Sequence, residues 1–112
     1  MEVKNSSTSQ DHVDVCPAVE AAFELLGKKW TGLLIHVLGT KPARFTTLLE
    51  QIPGVSPRLL TERLRDLECR GVVRRDVYPE SPVRIEYALT EKGRALLPVM
   101  GQIADWAHDW EE

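Results

Sequence analysis

A mostly α-helical domain carrying one small β-hairpin, an α+β arrangement, is the fold class this chain predicts. Three observations carry that expectation. Apolar residues recur at three- and four-residue spacing through residues 17–51 and again through 56–70. The period drops to two over residues 72–89, on both sides of the loop Pro79-Glu80-Ser81-Pro82. A last helical stripe, with two tryptophans, fills residues 90–110.

Taken in order, residues 1–14 are polar and lack apolar periodicity, so they read as a flexible arm ahead of one domain over 15–112. The first helix opens at Cys16-Pro17, where proline suits the first helical position, and ends near Gly27. Val19, Ala22, Phe23 and Leu26 form its stripe. The second helix covers residues 29–38, with Trp30, Leu33, Leu34, Val37 and Leu38 on its buried face. Pro42 cannot continue it. A very short strand at Arg44-Phe45 precedes a third helix over 46–51, and Pro53-Gly54-Val55 makes a tight turn.

The stretch 56–70, S-P-R-L-L-T-E-R-L-R-D-L-E-C-R, organises the rest. Ser56 is an N-cap, Pro57 takes the first helical position, and Gly71 closes the last turn. At about 100° per residue, Leu60, Leu64 and Leu67 share one face and Arg58, Thr61, Glu62 and Arg65 the other. Two helices joined by a short turn, the second opening at Ser56, make a helix-turn-helix. The outward face carries short, forked, hydrogen-bonding groups, which base edges and phosphates require.

Residues 72–78 and 83–89 pair as a hairpin with a six- or seven-residue tip. Val83, Ile85, Tyr87 and Leu89 lie on one face, Arg84 and Glu86 on the other. A hairpin directly after a reading helix is a wing. Thr90 caps a final helix that Pro98 kinks. Its stripe is too wide for a small domain to bury alone, so part of it is expected to pack on a second copy of the chain.

The charge is uneven. Net charge is −3, yet residues 28–94 carry 13 bases and 8 acids, while residues 1–27 and 95–112 are each net −4. The basic middle holds the reading helix, which suits double-stranded DNA; the acidic ends suit solvent or a protein partner. No apolar run approaches the roughly 18 residues of a membrane span, and the N-terminus lacks the pattern of a secretory signal. A soluble, cytoplasmic protein with no membrane association is expected. Two cysteines are too few for a disulfide scaffold. His12, His36 and His108 are far apart, so no metal site is expected, and His36 reads as a core or rim residue. There is no phosphate-cradling glycine loop and no nucleophile with an obvious base, so neither a cofactor nor catalysis is expected.

Candidate contacts follow from these positions. Ser56, Arg58, Thr61, Glu62 and Arg65 present to a major groove; arginine can bond bidentately to guanine and threonine can meet a thymine methyl. Glu62 either accepts from a cytosine amine or orients Arg58 or Arg65. Arg63 sits nearer the buried side and is expected to snorkel to a phosphate. Lys28, Lys29 and Thr31 at the second helix, and Arg44 and Thr46 at the third, are placed for phosphates. Arg84 either reaches an adjacent minor groove or backbone, or pairs with Glu86 or Glu80.

The segments C-P-A-V-E (16–20), L-L-G-K-K-W (25–30), R-F-T-T-L (44–48), G-V-S-P-R-L-L-T-E-R-L-R-D-L-E (54–68), G-V-V-R-R-D-V-Y-P (71–79) and P-V-R-I-E-Y-A-L-T-E-K-G (82–93) closely resemble the HxlR-type, MarR/HxlR-like, winged helix-turn-helix transcriptional regulators of bacteria and archaea. The likeness spans roughly residues 15–107. It implies a homodimer built on the first and last helices, through Val19, Phe23, Val99, Met100, Ile103, Trp106, Ala107 and Trp110. Each subunit then offers one reading helix and one wing to a near-palindromic operator. Some relatives use a cysteine at the place of Cys16 as a redox or electrophile sensor. A thiol at a helix N-terminus has the raised thiolate fraction this needs, although a packing role fits the same position. Cys69, on the exposed side of the reading helix, reads as incidental. The competing function class is a winged-helix protein-interaction module without specific DNA binding.

Overall fold

The computed structural model describes residues 14–111; the expected N-terminal arm over 1–14, apart from Asp14, lies outside the described residues, as does His12. The element order is α1 (Pro17–Leu26), α2 (Thr31–Leu38), α3 (Phe45–Gln51), α4 (Pro57–Cys69), β1 (Val73–Tyr78), β2 (Arg84–Leu89), α5 (Glu91–Arg94) and α6 (Leu97–Trp110). This is a winged helix-turn-helix: α3 and α4 are the paired helices and β1–β2 is the wing.

The core forms where leucine stripes from several elements meet. Leu34, Ile35 and Leu38 of α2, Leu48 of α3, Leu60, Leu64 and Leu67 of α4, and Val72 are all fully buried. Removing that apolar surface from water holds the helices in their relative positions. Helix α4 then ends in a Schellman closure: the Gly71 N–H donates to the Glu68 carbonyl at 3.0 Å and the Val72 N–H to the Leu67 carbonyl at 2.9 Å. Gly71 has φ 74°, a conformation that side chains with a Cβ resist.

The wing is antiparallel, with Val73 opposite Leu89 and Tyr78 opposite Arg84. The residues between its strands number five, from Pro79 to Val83, one fewer than the shorter expected tip. Its base is core and its tip is solvent. Val73, Ala88 and Leu89 are buried, Ile85 and Tyr87 are half-buried, and Val77 and Val83 are exposed. The contrast between faces expected over 83–89 is replaced by a gradient along the strand, with Ala88 and Leu89 both buried at its C-terminal end, because the core ends before the strand does.

Three expectations need correction. Helix α2 begins at Thr31, not residue 29, because Trp30 adopts φ 79° as its N-cap residue. Its buried face includes Ile35 and not Leu33, which is half-exposed. The final helix is two helices: α5 ends at Arg94 and α6 starts at Leu97, so Pro98 sits in the first turn of α6, where its missing N–H is tolerated, and not inside one continuous helix. Gly93 explains the compactness of that junction, since any Cβ there would collide with the Val72 carbonyl.

Candidate nucleic-acid interface

Helix α4 presents the outward face from which the interface is built. Ser56 Oγ accepts from the Leu59 N–H at 3.1 Å, fixing the helix start. With the leucines inward, Arg58, Thr61, Glu62 and Arg65 are exposed. The Arg58 side chain is 91% exposed, with Nε 3.6 Å from Glu62 Oε2. Thr61 Oγ1 donates to the Pro57 carbonyl at 2.9 Å, which occupies its proton and leaves its methyl group for apolar contact. Arg65 has no bond or ion pair among the described residues. One helix face thus offers a free guanidinium, a lightly held one, a methyl and a carboxylate.

Next to α4 lies the turn between α1 and α2. Lys28 Nζ is 3.2 Å from Asp66 Oδ2, and Lys29 Nζ stands 5.0 Å above the Trp30 ring. Both lysines are exposed. Arg63 ties the turn down: its Nε donates to the Lys29 carbonyl at 2.9 Å and its Nη1 lies 3.6 Å from Asp66. Its side chain is only 17% exposed. Arg63, expected at a phosphate, is fastened here to the Lys29 carbonyl and to Asp66, and its Nη2 takes no part in those contacts. Thr31 is corrected more firmly: it is 1% exposed, so its hydroxyl has no path to a phosphate.

The third contributor is the start of α3. Ala43 and Tyr87 exchange both backbone bonds, Ala43 N–H to Tyr87 carbonyl at 3.0 Å and the reverse at 2.8 Å. This bridge is the short strand, one residue earlier than expected, and it stitches α3 to the wing. Arg44 and Thr46 follow, both exposed. Arg84 is not free. Its Nη1 donates to Glu86 Oε2 at 2.7 Å, its Nη2 to Glu80 Oε2 at 3.0 Å, and its guanidinium stacks 3.9 Å from the Tyr78 ring centre. The ion pairing read for it is formed, with both Glu80 and Glu86. Arg84, and more weakly the charge of Arg44, hold the Glu80 carboxyl below its ordinary range.

Sequence reasoning passed over Arg75. It is exposed on β1, opposite Tyr87 in register, and it lines a cleft with Thr61, Arg65 and Glu68. It has no ion pair among the described residues. Strand alternation alone does not reveal this, because the cleft exists only once β1 lies beside α4.

Two further features lie away from this face. Cys16 is the exposed N-cap residue of α1, and the backbone N–H groups of Val19 and then Ala18 hold its thiol below the ordinary cysteine value. Cys69, at the end of α4, is exposed as well. Helix α6 buries no residue fully. Val99, Ile103, Trp106 and Trp110 on α6 are exposed, as are Val19 and Phe23 on α1, while Met100 and Ala107 are half-buried. His36 is exposed, at the rim rather than in the core. Among the described residues no helix is long and apolar enough to cross a membrane.

Residues 25–112 match the family described as HxlR-like helix-turn-helix. The chain is 49% identical over 98 residues to the HTH-type transcriptional regulator YodB of Bacillus subtilis, covering 88% of each protein. It is 47% identical over 97 residues to the HTH-type transcriptional regulator YvaP of the same organism, covering 87% of this chain and 90% of that one. Among solved structures, the reduced form of YodB superposes with a TM-score of 0.80 at 48% identity, over 88% of this chain and 97% of that one. Quinone-bound YodB follows at 0.76 and 45%, over 86% and 100%. The redox regulator HypR in its oxidised form gives 0.79 at 37%, over 87% and 99%. These relatives favour DNA binding over a pure protein-interaction module. With its paired helices, its wing and these relatives in agreement, the chain belongs to the HxlR-like helix-turn-helix family of DNA-binding transcriptional regulators.

Proposed function

We propose that this regulator works as a homodimer whose two α4 helices read a near-palindromic operator, and that Cys16 makes the binding responsive to oxidants or electrophiles. The observation that carries the DNA-reading part is the division of α4: Leu60, Leu64 and Leu67 are buried while Arg58, Thr61, Glu62 and Arg65 are exposed on the same thirteen residues. Arg65 and Arg58 supply bidentate donors for guanine, and the Thr61 methyl suits thymine. Lys28, Lys29, Arg44, Thr46 and the helix start at Ser56 hold phosphates around them. Arg75 adds a cation between α4 and the wing. Arg84, held by its two glutamates, shapes the wing tip.

The uncovered apolar faces of α1 and α6 support the dimer. Phe23 and Trp110 are 71% and 75% exposed, an arrangement that water penalises and a second copy relieves. Two reading helices would then meet major grooves one turn apart, roughly 34 Å, or a small multiple of that.

The sensing part rests on the exposed, acidified thiol of Cys16 and on the redox and quinone forms in which its relatives are known. A quinone accepts the thiolate's electron pair at a ring carbon, a C–S bond forms, and the ring takes up a proton as it becomes a hydroquinone. Footprinting the operator with and without quinone, on wild type and Cys16→Ser, tests the whole reading. A protected palindrome lost on quinone treatment only in the wild type is the expected result. No protected palindrome overturns the DNA part, and an equal response in both proteins overturns the thiol part.

A further inference from the structure

A second cleft, on the side of α1 that faces its own domain, is unaccounted for by DNA binding or by thiol chemistry. It encloses about 390 Å³, within the size range of small-molecule sites. Its walls are aliphatic throughout: Ala18, Ala21, Ala22 and Leu25 from α1, Val72 from the end of the α4 closure, and Ala95 and Leu96 from the α5–α6 junction. The alanines are what leave it open, since larger side chains at those α1 positions would fill it. Among the described residues its charged lining groups are two cations, Arg70 and Lys92.

Those cations are positioned but not neutralised. Arg70 Nη2 donates to the Ala21 carbonyl at 3.0 Å, and Lys92 Nζ donates to the Arg70 carbonyl at 2.6 Å. Each uses a single N–H on a backbone oxygen, so the guanidinium keeps four donors and the ammonium two. Neither has a carboxylate partner among the described residues. A half-enclosed aliphatic cleft edged by two like charges fits a molecule with the opposite pattern.

We propose that this cleft binds an aliphatic monocarboxylate, with the alkyl chain along the α1 alanines and the carboxylate on Arg70 and Lys92. Arginine matches a carboxylate with two parallel hydrogen bonds, and burying the chain supplies the rest. An aromatic body is the poorer fit, because among the described residues no ring lines the cleft to stack on it. The site is independent of the operator reading: it needs neither DNA nor a reactive thiol.

The test uses octanoate as the probe, with octanol as its neutral match, titrated into the full chain and followed by ¹H–¹⁵N spectra and calorimetry. Saturable shifts at the amides of Ala18, Ala22, Val72 and Ala95 are expected, with octanol at least about tenfold weaker. Lys92→Gln should weaken octanoate by about tenfold. Arg70→Gln should do the same, but it also loses the link to Ala21, so Ala22→Phe is the stricter variant: it fills the cleft from an exposed helix position and should abolish binding in a folded protein. The proposal is overturned by shifts that do not saturate at millimolar octanoate, by octanol binding as tightly, or by octanoate binding that Ala22→Phe leaves intact.

Discussion

Arg63 donates from Nε to the carbonyl oxygen of Lys29 at 2.9 Å, across 34 residues of chain. That bond locks the α1–α2 turn to the inner edge of the reading helix, and Asp66 completes the lock by holding both Arg63 and Lys28. The two exposed lysines are therefore carried at a fixed distance from the exposed arginines of α4. Arg63→Ala should lower stability by about 1.5–3 kcal/mol, the usual worth of a hydrogen bond from a charged group. Thermal unfolding would register this as a drop of several degrees. An unchanged midpoint would remove Arg63 from this role.

Arg65→Ala and Lys29→Ala should separate reading from holding. Loss of a base contact costs about 1–3 kcal/mol on the operator and little on random duplex, whereas loss of a phosphate contact weakens both alike and lowers the salt slope by about one. Titration of each variant against both duplexes makes the comparison. Equal losses for Arg65→Ala in the two duplexes would place its guanidinium on a phosphate instead.

Arg75→Ala should behave as a phosphate contact too, with a uniform loss on both duplexes. Its neighbour Arg74 is held by Asp76 at 3.0 Å and serves as the control, expected to have a smaller effect. Comparable losses for the two would mean that the cleft beside α4 confers nothing special on Arg75.

Trp106→Glu should convert the proposed dimer into a folded monomer. Trp106 is 66% exposed on a helix that buries nothing fully, so the change leaves the core untouched and puts a desolvated charge into the contact. Light scattering after size exclusion gives the mass, and circular dichroism checks the fold. A variant that keeps the wild-type mass would move the subunit contact away from α6.

Cys16 should alkylate at lower pH than free cysteine. The Val19 and Ala18 N–H groups stabilise its thiolate, so the iodoacetamide rate should reach half its plateau below about pH 8.5, the unperturbed midpoint. Reactivity present above the lowered pKa is then lost as the pH falls through it. A midpoint at or above that of free cysteine would argue for a packing role. The measurement is best made with Cys69→Ser, which leaves one thiol among the described residues.

Gly93→Ala should destabilise the fold by roughly 1–3 kcal/mol, the range for forcing extra atoms into a packed interior. The new Cβ would press on the Val72 carbonyl just where α4 hands over to the wing. Denaturant titration reads the loss directly.

What the amino-acid order settled alone was local. Ser56, Pro57, the leucines at 60, 64 and 67, and Gly71 define α4 within sixteen residues, because capping, proline placement and helical spacing act over one or two turns. The wing was legible for the same reason, as a change of period bounded by prolines. What the tertiary structure decided was which groups are left over after packing. Trp30 looks like a helix residue, yet it takes a left-handed conformation with its ring in contact range of Gly54 in the helix-turn-helix turn. Thr31 looked available and is buried, and Arg63 turns its Nε to a carbonyl 34 residues away. Arg75 looked unremarkable and has no ion pair among the described residues, and Pro98 sits in the first turn of a new helix. Side-chain availability depends on neighbours that are distant in sequence, and such contacts exist only after the elements have been brought together by burying the core.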